Sequence, residues 1–304
     1  MPGARRSLLV VLISLQVLLW SLNYLAGKLA LRAFDPFTLA AYRLVLAGLL
    51  YVPLLAMRNA RHLFRLRDLP VLALLGLLGV VLNQGGFVVS LEYTSVGHVA
   101  LMVAIGPLLV LLLARLAGLE TLAPVRVTGL SLSFLGAALL VLSALRHGEA
   151  AALRGDLIAF CSTAGFAIFT VLGKKTAHRY DPITATAVAH ITGAVVMLPL
   201  AIVRWPQTPW HRVPAQAWFG LFYMAVFGSV AGYLIFYRLL QSLAASQLAA
   251  LNYLLPIGAT LLGVLFLGER LSPRFLAAAG LILCGVWLAE RGAVAERWQT
   301  APAD

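Results

Sequence analysis

One guanidinium, that of Arg43, falls well inside an apolar stretch, and the other 22 Lys and Arg residues lie at or beyond the ends of such stretches. Counted from the start of its stretch it lies about seven residues, or roughly 10 Å, inside. A charge at such depth costs on the order of 3 kcal/mol and is usually functional or paired. Arg43 could bind a carboxylate or act as a gating charge. Alternatively it snorkels to the nearby interface or bonds helix-end carbonyls close to Asp35. Asn23 and Tyr24, Asn83 and Gln84, and Asn252 and Tyr253 are polar groups in three other apolar stretches, where an unsatisfied donor or acceptor is costly. Such amides and hydroxyls suit a zwitterion, accepting from an ammonium and donating to a carboxylate without adding a buried net charge. The other reading is interhelical hydrogen bonding, worth about 0.6 to 2 kcal/mol each.

Trp20, Tyr93, Tyr223, Tyr233 and Tyr237 could form an aromatic wall, or they pack and anchor at the interface as Trp205, Trp210 and Trp218 are placed to do. His98 and His190 are the two histidines within apolar stretches, and no Asp or Glu falls near the middle of any. His98, with Glu92 nearby, is therefore the candidate for proton coupling, against the plainer reading of a structural histidine. Other chemistries find no support. There is no phosphate-binding glycine loop, no His-Glu-x-x-His, no acidic cluster with metal-ligand spacing and no Cys-x-x-Cys, since Cys161 and Cys284 stand alone. No catalytic residue, metal or cofactor is expected, and a membrane-embedded enzyme or a channel is the weaker reading.

These residues need a scaffold whose solvent is lipid. Of 304 residues 62% are hydrophobic and 11% charged, with a mean hydropathy of +0.94, far from the roughly quarter-charged profile of soluble domains. Apolar segments fall at 8–29, 37–57, 69–91, 95–116, 125–145, 155–176, 183–203, 214–238, 246–267 and 273–290. Ten crossings follow, the third and fourth joined by a tight hairpin at Glu92-Tyr93-Thr94-Ser95. The opening Arg5-Arg6 and apolar run lack a cleavage site and read as a retained first helix. Net charge of +12 is dispersed between the apolar runs, which argues against nucleic acid and for membrane topology. With the N-terminus inside, fourteen Lys and Arg lie on the cytoplasmic side and eight opposite, so both termini are expected in the cytoplasm, at the cell membrane.

The chain repeats itself. Gly27-Lys28, Asp35-Pro36 and Pro53 recur as Gly173-Lys174, Asp181-Pro182 and Pro199 after 146 positions. Pro107, Glu120, Pro124 and Gly136 recur as Pro256, Glu269, Pro273 and Gly285 after 149. Pro107 and Pro256 should kink helices four and nine, and Glu120 and Glu269 should cap the following helix or pair with Arg126, Arg270 or Arg274. Gly228-x-x-x-Gly232 permits close helix contact. Repeats of 1–146 and 147–304, each with five crossings, enter the membrane from opposite sides. Inverted repeats are a recurrent construction of secondary transporters, because exchanging the two conformations moves a midplane site from one side to the other.

Leu19-Trp20-Ser21-Leu22-Asn23, Asp35-Pro36 with Arg43, Ala100 to Pro107, Gly118-Leu119-Glu120, Asp181-Pro182, Ala249 to Pro256 and Leu267-Gly268-Glu269-Arg270-Leu271 resemble the drug/metabolite transporter superfamily, in particular its EamA type. One departure is Ala189, with His190 beside it, where the second half often has an Arg matching Arg43. The resemblance implies an all-α membrane protein of two inverted five-helix repeats and efflux of a small molecule such as an amino acid, a drug or dye, or a nucleoside-like compound. It also implies a cavity where helices one, three and four meet six, eight and nine. A lipid bilayer and a small-molecule substrate are the expected partners, in a monomer or homodimer.

Overall fold

The computed structural model describes residues 2–57, 66–118, 150–177, 179–243, 254–269 and 271–300, with further positions between 124 and 139 and at 245 and 248. Those residues form helices and turns, with no strand among them. Crossings one to four are α1 (Pro2–Ala30), α2 (Pro36–Ala56), α3 (Leu69–Tyr93) and α4 (Val96–Leu116). Crossings six to ten are α5 (Ala150–Thr176), α6 (Pro182–Arg204), α7 (Ala215–Ser242), α8 (Leu254–Leu267) and α9 (Pro273–Thr300). The expected fifth crossing, 125–145, lies largely outside the described residues; its described positions are helical. Among the described residues, seven helices are long and apolar enough to cross a membrane, and α8 and α9 carry shorter apolar stretches.

Local chemistry sets the boundaries. Asp35 accepts from the backbone N–H groups of Phe37 and Thr38 at 3.1 Å, and Asp181 from those of Ile183 and Thr184 at 3.1 and 3.3 Å. In each case Pro follows at the first helical position, where its missing N–H costs nothing. α4 and α8 end at Gly118 and Gly268, whose φ values of 70° and 68° lie in the left-handed region that favours glycine. The third-to-fourth hairpin is as tight as expected, with Thr94 and Ser95 alone between helices. α4 is interrupted at Ile105, one residue before Gly106-Pro107, where the proline removes a helical donor.

α3 and α7 each contain a widened, π-type stretch, Gly76–Gly85 and Met224–Ala231, at positions that overlap under the 149-residue offset. Such wide turns often mark functional places in membrane and soluble helices alike.

The halves meet as images of one another. A Cβ on Gly136 would lie 2.8 Å from Ile282 Cγ1 and 2.9 Å from the Ala278 carbonyl, and one on Gly285 would lie 2.4 Å from Ser133 Oγ and 2.5 Å from the Gly129 carbonyl. Each contact is the other shifted by 149. At the centre, α2 packs on α6 so closely that a Cβ on Gly48 would lie 2.3 Å from that of Ala194, its own equivalent at an offset of 146. Small residues serve this purpose in lipid, where packing rather than water exclusion draws helices together. Lys28 Nζ donates to the Leu91 and Thr94 carbonyls at the end of α3, and Lys174 Nζ to the Leu240 and Leu243 carbonyls, at 2.8 and 2.7 Å, at the end of α7.

Candidate central cavity

Between the halves lies a cavity of about 70 Å³, lined by Trp20, Asn23 and Tyr24 of α1, Arg43 of α2, Asn83, Gln84 and Phe87 of α3, Val103 of α4, Phe166 of α5, Gly228 and Tyr233 of α7 and Leu255 of α8. That is room for on the order of five waters. The cavity is narrow in this conformation.

Arg43 is 2% exposed. Its Nε donates to Ser229 Oγ at 3.1 Å, and its guanidinium carbon lies 5.9 Å from the centre of the Phe87 ring. Nη1 is buried with no hydrogen-bond partner among the described residues, and the described ion pairs do not include Arg43. The side chain thus faces the middle of the molecule, and the snorkelling alternative is corrected. Asn23 Oδ1, also buried and unsatisfied, would stand 2.2 Å from a Cβ on Gly228, with Arg43 Nη2 3.4 Å from the same point. A cationic donor and a neutral acceptor therefore flank one small space.

A polar chain runs from Arg43 across the two halves. Ser229 donates to Gln84 Oε1, and Gln84 Nε2 is 2.9 Å from His190 Nε2. His190 Nδ1 is 2.9 Å from the Thr186 carbonyl, so its N–H donates there and a neutral ring is left to accept from the amide. Asn83 Nδ2 donates to the Ser162 carbonyl at 3.1 Å, while Tyr233 donates to Asn83 Oδ1 and the Gly79 carbonyl at 2.8 Å. The interhelical reading thus describes Asn83 and Gln84, whose amides are already bonded.

The aromatic side is continuous. Trp20 packs on Phe166, Tyr233 and Phe236 with ring centres 5.5 to 5.7 Å apart, and its Nε1 donates to the Gly228 carbonyl at 3.2 Å. A Cβ on Gly232 would come 2.3 Å from Trp20 Nε1, so both glycines of Gly228-x-x-x-Gly232 admit α1. Tyr24 meets Phe87 edge-on at 4.9 Å. Tyr93, Tyr223 and Tyr237 are not part of this wall: Tyr93 lies under Arg154, Tyr223 donates to the Leu19 carbonyl and Tyr237 bonds Thr176. Trp205, Trp210 and Trp218 cluster with Phe34 and Tyr42 around the α6–α7 turn.

His98 lies apart from the cavity. Its partner is Asp156 of α5, at 3.1 Å, and not Glu92. Asp156 stands only two residues into the expected sixth crossing, so position alone marked it as an end residue, although α5 begins at Ala150 and carries it into a buried turn. Glu269 accepts from the backbone N–H groups of Val96 at 2.7 Å and Gly97 at 3.2 Å. It therefore caps α4 of the other half rather than the helix that follows it. Asn252, Tyr253, Glu120, Arg126 and Arg270 lie outside the described residues. Ser229, Phe87 and Phe166 were not anticipated. The arrangement joins helix two, through Arg43, to the six helices expected to meet.

Residues 7–142 and 153–290 each match the EamA-like transporter family. The chain belongs to that family. It is accordingly a ten-helix, all-α membrane protein of two inverted repeats, and a transporter. It is 26% identical over 283 residues to an uncharacterized transporter of Archaeoglobus fulgidus, covering 92% of this chain and 98% of that one. It is 29% identical over 300 residues to the uncharacterized transporter YvbV of Bacillus subtilis, covering 98% and 95%. A WAT1-related chloroplastic protein of Arabidopsis thaliana is 28% identical, with 88% of this chain and 66% of that one covered. A crystal structure of a protein 21% identical superposes with a TM-score of 0.65 over 93% of this chain and 97% of the other, which bears on the fold alone.

Proposed function

We propose that this EamA-family transporter exports amino acids or closely related small metabolites across the cell membrane by alternating access, with both termini in the cytoplasm. The observation that carries the reading is the buried guanidinium of Arg43, with no carboxylate partner among the described residues, beside the unsatisfied Asn23 Oδ1 at Gly228 in the lining of the central cavity. A carboxylate would satisfy the guanidinium, a planar fork suited to it. An ammonium would satisfy the amide oxygen. Trp20, Phe87, Phe166 and Tyr233 would then cover the apolar remainder, and inverted halves supply the means of exposing the site to either side. The aromatic wall also favours a second reading, a drug, dye or nucleoside-like substrate held by ring stacking.

Counterflow in proteoliposomes, with labelled amino acids, nucleosides and cationic dyes, tests the proposal. Saturable counterflow of a zwitterion supports it. Counterflow confined to dyes or nucleosides supports the second reading, and folded protein that moves none of them overturns both.

A further inference from the structure

At the end of the bundle where α1, α3 and α8 finish and α4 and α5 begin, Asp156 is fully buried. Its Oδ1 accepts from Thr94 Oγ1 at 3.1 Å, and His98 Nδ1 lies 3.1 Å from Oδ2 and 3.2 Å from Oδ1. Thr94 and His98 belong to the first half and Asp156 to the second. The contact is close, because a Cβ on Gly155 would lie 2.7 Å from that of Thr94. The ring of Phe275 on α9 stacks on His98 at 5.8 Å. His98 itself is one-fifth exposed, in a surface cavity shared with Lys28, Glu92, Tyr93 and Glu269, with Arg32 lining the neighbouring one and Arg154 lying over Tyr93. Lys28 Nζ is engaged by the Leu91 and Thr94 carbonyls, so among the described residues the cation placed to neutralise Asp156 is a protonated His98. The position 146 residues before Asp156 is Val10, and the other end of the bundle therefore lacks a copy of this carboxylate.

We propose that His98 and Asp156 form a proton-operated latch on this one end, holding it shut when His98 carries a proton. The inference rests on the alternating-access reading given above. With a neutral ring the pair is a single hydrogen bond to a carboxylate; with an imidazolium it is an ion pair, shielded from water on its acidic side, which opening must separate. His98 is reachable from the water at this end and Asp156 is not, so the proton arrives from and returns to the same compartment. The pair therefore sets how readily this end opens and does not carry protons across. An ion pair favours contact more than a neutral hydrogen bond does, so acid favours the shut state. With the N-terminus inside, the compartment concerned is the exterior.

The test is counterflow in oriented proteoliposomes with the pH varied on one side at a time. Acidifying the side of this end from about 7.5 to about 5.5, across the imidazole range, should slow wild type by about three- to tenfold, the equivalent of one strengthened charge-assisted bond. Acidifying the other side should not. His98→Gln and Asp156→Asn should be fast and indifferent to pH, and His98→Lys slow at both values. Nitroxide labels at Arg32 and Leu271, in protein with Cys161 and Cys284 replaced by Ser, read the same end without any substrate. Their distance distribution should shift toward the short state in acid only when His98 and Asp156 are both present. Wild type indifferent to pH in that distance, or His98→Gln as responsive as wild type, overturns the latch. If the distance responds while no substrate moves, the latch stands and the substrate reading fails.

Discussion

Replacing Arg43 by Met separates a binding role from a structural one, because the two predict opposite signs. In the free protein the guanidinium is buried, bonded through Nε to Ser229 and unsatisfied at Nη1. Burying a charge costs several kcal/mol even after relaxation, and one charge-assisted hydrogen bond returns about 1.5 to 3 kcal/mol. Removing both should leave the substrate-free protein about as stable as wild type, or more so. The loaded protein should suffer, since a carboxylate held by the fork would lose at least one charge-assisted bond, about 1.5 to 3 kcal/mol and so roughly ten- to 150-fold in apparent affinity. Arg43→Lys keeps the charge without the fork and should fall between. The assay is thermal unfolding of detergent-purified protein with and without a transported amino acid, alongside counterflow. Wild type should be stabilised by substrate and Arg43→Met should not. A Met variant destabilised by more than about 2 kcal/mol that still binds and moves substrate normally would make Arg43 a structural strut and refute the reasoning.

Other substitutions follow from the same geometry. Gly228→Ala places a methyl group against Asn23 Oδ1 and beside Arg43 Nη2, and should abolish counterflow while the protein still purifies as a monodisperse species. Gly48→Ala should cost about 1 to 3 kcal/mol through its collision with Ala194, and adding Ala194→Gly, which moves the methyl to the other side of the same contact, should restore most of the loss in thermal unfolding. Glu269→Gln weakens the cap on α4 and should lower stability by about 0.5 to 2 kcal/mol; an unchanged melting temperature would show that the cap is idle.

What the sequence made legible follows from how local each signal is. The spans were readable because about twenty apolar residues are needed in succession to cross a bilayer. Asp35 and Asp181 were noticed as repeat positions, and the structure shows that each caps its own next turn. The repeat was readable from Gly, Pro and Asp at fixed offsets, and the crossed contacts of Gly136 and Gly285 are its physical expression. Asn23, Tyr24, Asn83 and Gln84, singled out as polar groups in apolar stretches, line one space together with Trp20, Arg43 and Tyr233. The partners were not anticipated. Ser229 meets Arg43 across 186 positions and Gln84 meets His190 across 106, and such meetings depend on the rotation of each helix about its axis, which a wide turn resets. Asp156 escaped notice for a related reason. Only the extension of α5 back to Ala150 turns a residue at a span's edge into a sealed one.

The contact of Gly48 with Ala194 has a further consequence. Each is the other's image, so the pair sits where the pseudo-symmetry axis pierces the bundle. When two halves trade poses, a point on that axis keeps its surroundings, as the fulcrum of a balance keeps its height whichever pan descends. The backbone amide resonances of Gly48 and Ala194 should therefore report one environment throughout the transport cycle, while those at the far ends of α1 or α7 report two.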